Sequence, residues 1–442
     1  MYAPRRLSVL AALMLSQPTG FADRAAGPDS AAGTAPSVED VLSFRDGCFH
    51  LDGRHFAEIS FNKFDLFWQL YDQLASGRTL GDDNPLVAAQ DRALADLRAL
   101  GFRTIRVFAL PWGPSGPPAY ADPEKRKRLY AALDKMVELC ERHGIGVVWS
   151  LSLGSFTDTR IEPGKGWTRG EEQLRELIAD PESRGRKLAF RYLDETVARY
   201  RHRKAVVMWE VHNELTLAAD IGDANGVYQG ERVPTLDQVA AFLDAAAKRI
   251  KAADPLRLVN SGGSAPREHQ WHLYQRAGWK LDTLGEQLKC FELLYARSAL
   301  DVVDIHYYPG TNPGAMISDG KGGRTTLDLK GYMKIARQIG KPLMLGEFGL
   351  APIARSDTNF WKGVTNYFES FADVKNAKPW VAGIVDDVVG AGVPLSYWWC
   401  YQSDRPMDQK DPQRMDIERK RNPELVELIV AANRRLKAKL LE

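Results

Sequence analysis

Eight short apolar runs, separated by stretches with helical periodicity, constrain this chain more than any other feature. The runs are Phe56–Phe61, Arg103–Leu110, Ile145–Leu151, Ala205–Val211, Arg257–Asn260, Val302–Tyr307, Pro342–Gly346 and Val393–Trp399. They are rich in Val, Ile and aromatic residues, and the central ones are almost continuously apolar, as parallel strands buried on both faces are. Between them lie amphipathic helices. Arg128–Arg142 places Leu129, Leu133, Met136, Val137 and Cys140 on one face and stops at His143-Gly144. Lys187–Arg201, Leu236–Ala252 (with Thr235 as its cap), Gly331–Gly340 and a last helix from Asn422 repeat the pattern. The basic run Lys125–Arg128 reads as a solvated helix face. Eight strand–helix alternations predict an α/β chain folded as a single (β/α)8 barrel over roughly residues 44–436. A doubly wound open sheet is the alternative, but no Gly-rich phosphate loop follows the first run.

The ends and the cysteines add little bulk but some direction. Residues 1–22 read as a signal peptide: Arg5 and Arg6, the apolar Leu7–Leu15, then Gly20-Phe21-Ala22 as a small-x-small cleavage pattern. The apolar run is shorter than the ~20 residues a bilayer span needs. Residues 23–40 are rich in Ala, Gly, Pro and Ser and read as a flexible leader, leaving residues 41–442 as the folded domain. The expectation is an exported, periplasmic or extracellular monomer with no membrane partner. Lys and Arg number 59 against 57 Asp and Glu, a net charge of +2, which removes the basic face that nucleic-acid binding needs. Cys48, Cys140, Cys290 and Cys400 are far apart and form no zinc-ligand spacing. Export permits disulfides among them, with three full pairings open.

In a barrel, catalytic groups sit at the carboxyl ends of strands. Two runs end in glutamates set in apolar sequence. The fourth ends WEVHNEL, with Glu210, Asn213 and Glu214; the seventh ends LGEFG, with Glu347. A carboxylate in such a setting is costly to bury without a partner or a purpose. Two of them facing one cleft are the minimum equipment for glycoside hydrolysis, one moving a proton and the other attacking the anomeric carbon or activating water. No metal and no organic cofactor is implied, because carboxylates carry that chemistry.

Five stretches taken in order resemble glycoside hydrolase family 5, in the clan of retaining (β/α)8 glycosidases. They are ALDKMVELCERHGIGVV, YLDETVARYRHRKAVVMWEVHNE, DPLRLVNSGG, DVVDIHYYP and IGKPLMLGEFG. The resemblance implies that Glu214 is the general acid/base and Glu347 the nucleophile. It implies that Asn213 binds the sugar 2-hydroxyl, and that His306 and Tyr308 frame the cleft with the Tyr308 hydroxyl on Glu347. It further implies that Arg106 keeps Glu347 ionised and that a tryptophan at strand eight is the sugar platform. Trp398 is favoured slightly over the adjacent Trp399, which points the other way in a strand. Retention, too, is implied by the resemblance and not by spacing. Leu215 stands where the family usually has proline, and WSLSLG replaces a frequent histidine after strand three. Both departures leave the sugar specificity open.

Tryptophans near strand ends suit sugar rings, whose C–H faces pack on indoles. Trp112 and Trp167 are the best candidates because Gly/Pro-rich loops present them; Trp149, Trp271 and Trp279 are others. The partner expected is a carbohydrate, a β-linked polysaccharide or oligosaccharide, handled by a mannanase-like or cellulase-like enzyme. An exo-acting β-glycosidase of another family in the clan is the alternative, favoured by long insertions at 266–300 and 309–325. A non-catalytic sugar-binding barrel is the third reading.

Overall fold

Eight parallel strands form one sheet in this computed structural model: β1 Glu58–Asn62, β2 Thr104–Phe108, β3 Gly146–Ser150, β4 Val206–Glu210, β5 Leu258–Asn260, β6 Val303–Tyr307, β7 Leu343–Phe348 and β8 Leu395–Trp398. The structure describes residues 36–111, 116–157, 170–220, 233–308, 316–349, 374–401, 417, 419–420 and 422–441. The expected signal peptide, most of the leader, Trp112 and Trp167 therefore lie outside the described residues. The hydrogen-bonded order is β5-β4-β3-β2-β1-β8-β7-β6, which is chain order around a ring. A single parallel bridge, Asn260–Val302, spans the gap between β5 and β6. The chain is a (β/α)8 barrel, and each strand lies within two residues of its expected position, although the first run is shared between two elements.

There the run Phe56–Phe61 is divided. Arg54–Phe56 pairs antiparallel with Cys48–Leu51, which pairs with Ser43–Arg45; β1 begins only at Glu58. This small sheet closes the amino-terminal end of the barrel. Leu42, Phe49, Leu51 and Phe56 pack on Val148, Val207, Met208, Met344 and Leu395. The folded unit also starts earlier than composition suggests, at Pro36. Asp40 accepts from Ser37 Oγ at 2.9 Å and pairs with Lys204 at 2.9 Å, so the end of the expected leader is tied down.

Helices α1 Asp65–Ala75 and α2 Pro85–Ala99 follow β1; α3 Gly116–Ala121 and α4 Pro123–His143 follow β2; α5 Gly170–Ala179 and α6 Arg184–Tyr200 follow β3. α7 Leu236–Ala253 follows β4, α8 Gln270–Tyr274 and α9 Leu284–Phe291 follow β5, and α10 Leu329–Ile339, α11 Val374–Ala391 and α12 Pro423–Leu441 complete the layer. α4 starts earlier than its apolar stripe. Asp122 Oδ1 accepts from the Glu124 and Lys125 amides and Pro123 occupies the first turn, so Lys125–Arg128 are helical. Its far end is the left-handed Gly144. Thr235 and Gln238 form a capping box on α7. The two insertions meet: Ser318, in the hairpin Met316–Ser318/Arg324–Thr326, bridges Thr283 ahead of α9. No disulfide joins the four cysteines; Cys140, Cys290 and Cys400 are buried and Cys48 half-buried. Among the described residues no helix is long and apolar enough to cross a membrane.

Candidate active site

The carboxyl ends of β2, β4, β6 and β7 bring together the side chains that the sequence singles out. At their centre is Arg106, fully buried. Its Nε and Nη2 donate to the two oxygens of Glu210, each at 2.7 Å. Its Nη2 also donates to Asn213 Oδ1 at 2.8 Å, and Nη1 to Asn62 Oδ1 at 2.8 Å. Glu347 Oε2 lies 3.4 Å from Nη1. The guanidinium therefore serves Glu210 first and Glu347 second: it reaches Glu347, as expected, but its closest partner is Glu210. A planar fork fits one carboxylate bidentately and has only one edge left for another. Glu210 was visible as a carboxylate closing an apolar strand, but nothing in sequence paired it with Arg106. Asn62 carried no signal at all. Behind the fork Asp304 is buried and accepts from the Gly346 amide at 2.7 Å. Burial pushes its carboxyl up to about 8, against the pull of His306.

Glu214 stands on a loop that continues the β4–β5 pairing beyond the strands. Its amide donates to Gly262 O at 2.7 Å, and its φ of 57° is left-handed. Gly262 has a φ of +68°, and a Cβ there would meet His212 O at 1.9 Å. Only glycine lets the two loops approach closely enough to hold Glu214 in this place.

His306 connects the two candidate catalytic carboxylates. Its Nδ1 is 3.0 Å from Glu214 Oε1 and 3.7 Å from Glu347 Oε2. One oxygen of Glu214 and one of Glu347 lie within 4.8 Å of each other. The Tyr308 hydroxyl donates to Glu347 Oε1. Burial raises the Glu347 carboxyl, and the charge of Glu214 adds to it, against the pull of His306, Arg106 and Tyr308. Burial also acts on Glu214, but the hydrogen bond and charge of His306 hold it below the usual range. His306 is lowered by burial, yet Glu347 and Glu214 outweigh that and raise it. His306 is thus the group through which the protonation of the two carboxylates is linked. His306→Asn removes the group that lowers Glu214, so Glu214 keeps its proton to higher pH. The basic limb of the kcat/KM profile should move upward; an unmoved limb would show that His306 does not set Glu214.

Trp398 is not the platform. It is 1% exposed and packs edge-on against Phe348, inside the layer between strands and helices. Trp399 is half-buried at the barrel mouth, with Phe64 at 5.4 Å and Phe108 at 6.0 Å between ring centroids. Neighbouring residues at a strand end face opposite ways, and the sequence alone could not say which way the strand is turned. Trp399→Ala should lower kcat/KM about tenfold with the fold intact. Trp398→Ala should instead cost ~3–5 kcal/mol of stability. Substrate kinetics and denaturant unfolding of the two variants separate these outcomes. Of the other tryptophans, Trp149 is core, Trp271 packs on Tyr274, and Trp279 is 47% exposed on the β5 insertion.

Among the described residues, two groups of side chains have the geometry to offer three metal ligands: Glu214, His306 and Glu347, and, on the insertion, His272, Asp282 and Glu286. In both, hydrogen bonds already use the ligand atoms. Asp282 accepts from Trp271 N, His272 N and Gln287 Nε2, and Glu286 caps Thr283.

A (β/α)8 barrel with two close glutamates at its mouth, one held by a tyrosine and an arginine, defines a glycoside hydrolase. The chain belongs to glycosyl hydrolase family 5: the family described as Cellulase (glycosyl hydrolase family 5) matches residues 82–369. Among solved structures, a family 5 mannosidase from Rhizomucor miehei in complex with mannosyl-fructose is similar at 15% identity. It covers 92% of this chain and 100% of its own, with a TM-score of 0.61. The endo-β-1,4-mannanase of Thermotoga petrophila matches at 15% identity over 88% of this chain and 78% of its own, TM-score 0.54. The exo-β-1,4-mannosidase Op5Man5 from Opitutaceae bacterium strain TAV5 matches at 18% identity over 91% and 63%, TM-score 0.52. At these identities the likeness is one of fold. No curated protein sequence matches the chain.

Proposed function

We propose that this chain is an exported, retaining β-glycoside hydrolase acting on β-mannosidic glycans. The observation that carries the mechanism is the approach of the Glu214 and Glu347 oxygens to within 4.8 Å. Retaining enzymes hold their carboxyls ~5–5.5 Å apart, and inverting ones ~6.5–9.5 Å, to admit a water. Glu347 attacks the anomeric carbon while Glu214 gives its proton to the leaving oxygen, forming a glycosyl ester. Glu214 then takes a proton from water, which attacks the same carbon and frees Glu347. Asn213, fixed through Oδ1 by Arg106, keeps its NH2 group for the sugar 2-hydroxyl. Trp399 provides the stacking surface.

The mannosidic class is supported by the solved mannosidases and mannanases of like fold. An exo-acting enzyme is favoured over an endo-acting one by the β5 insertion. Its Arg267 donates to Leu217 O and its Gln270 donates to Asp220 at 3.0 Å, which braces the insertion against the loop after Glu214. The test is proton NMR of an aryl β-mannoside and of mannooligosaccharides during hydrolysis. The expected first product is the β-anomer of mannose, released from chain ends. An α-anomer first would overturn retention, mixed internal fragments would overturn exo action, and activity confined to β-glucans would overturn the sugar assignment. Export is tested by sequencing the mature protein, which should begin after Ala22.

A further inference from the structure

At the end of the barrel opposite Glu214 and Glu347 lies a cavity of about 380 Å3 that glycoside hydrolysis does not use. Phe44, Phe49 and Phe56 of the small amino-terminal sheet form one wall, and Met333, Leu343 and Leu440 the other. Small-molecule sites fall in the range of ~300–1,000 Å3 and are lined mainly by apolar side chains with a few polar groups. The lining holds two cations, Arg337 and Lys341, and no carboxylate. The two cations differ. Lys341 Nζ donates to the carbonyls of Tyr295, Ser298 and Leu300, so its charge is committed to the protein. Arg337 is exposed on α10, and among the described residues no carboxylate pairs with it. An apolar chamber with one uncommitted guanidinium on its lining is complementary to a molecule with an apolar body and a single anionic end.

We propose that this cavity is a second ligand site, for an amphipathic carboxylate whose chain or ring system fills the chamber and whose carboxylate rests on Arg337. The site stands apart from the catalytic centre and does not depend on the sugar assignment. Cys48 lines it and is half-buried, whereas the other three thiols are buried, so Cys48 labelling reports occupancy.

The test uses the intact protein with decanoate and 2-naphthoate as probes and decanol as the uncharged control. Binding is followed by calorimetry and by the rate of Cys48 reaction with a neutral maleimide. One-to-one binding of at least one carboxylate is expected, with Cys48 labelling slowed at saturation. Binding of decanoate alone assigns an aliphatic ligand, and of 2-naphthoate alone an aromatic one. Arg337→Ala should weaken binding about tenfold or more, the worth of a charge-assisted hydrogen bond. It should leave the melting temperature and glycosidase activity unchanged, because the side chain is exposed. Failure of both carboxylates to bind at millimolar concentration would overturn the proposal. So would undiminished binding by Arg337→Ala, or decanol binding as tightly as decanoate.

Discussion

Glu347→Ala is expected to lower kcat/KM by a factor on the order of 10⁴ or more while the protein still folds. The side chain is the nucleophile of the proposed mechanism, and nothing nearby can replace it: Glu210 is locked on Arg106, and Asp304 is buried behind the fork. The fold should persist because Arg106 keeps its bidentate partner. Azide added to this variant should enter the space left by the carboxylate and displace an aryloxide, giving the α-glycosyl azide. Glu214→Ala should behave differently. With mannan it should lose ~10²–10⁴-fold, since the leaving oxygen receives no proton. With an activated aryl glycoside the first step needs no acid. Azide should then attack the glycosyl-enzyme from the opposite face and give the β-azide. The reverse pairing of variant and anomer would mean that the two roles are exchanged.

A large loss of both stability and activity is expected at Arg106. Arg106→Ala leaves Glu210 and Glu347 facing each other in the barrel without the cation that serves both. Breaking one partner out of a buried ion pair costs ~3–5 kcal/mol, because the remaining charge is stranded. Activity should fall with it, since Asn213 and Asn62 lose the donor that orients them. Arg106→Lys should recover little, as a single ammonium cannot span both oxygens of Glu210 and still reach Glu347. Glu210→Gln keeps the shape of the site and removes its main counter-charge. Arg106 then acts more strongly on Glu347, which should ionise at lower pH and carry the acid limb of kcat/KM down with it. Denaturant unfolding and pH profiles of the three variants check this. A loss under ~1 kcal/mol in Arg106→Ala would show that the fork is not a structural element.

Much of this protein is legible along the chain. Strands that are buried on both faces must be apolar throughout, so all eight barrel strands stand out within two residues. Caps and stops such as Thr235 and Gly144 mark helix ends because the chemistry of an end is local. Glu214, Glu347, Asn213, His306 and Tyr308 are visible because charged and polar groups at apolar strand ends need a reason. The run Phe56–Phe61 reads as one strand because Phe56 and Phe61 are equally apolar, and only packing decides that one closes the barrel floor and the other lines its wall. The choice between Trp398 and Trp399 is open in the same way, since alternation says that two neighbours face opposite ways without saying which faces the mouth.

The amino-acid sequence by itself determined the alternation, and with it the barrel, and singled out Glu214 and Glu347 as carboxylates at apolar strand ends. These follow from periodicity and from the cost of burying charge, which act over a few residues. Tertiary structure alone decided how the charge is shared. Arg106 and Glu210 are 104 positions apart, and Arg106 and Glu347 are 241 apart. Only barrel closure brings one guanidinium between both acids, and electrostatics depends on distance in space, not along the chain.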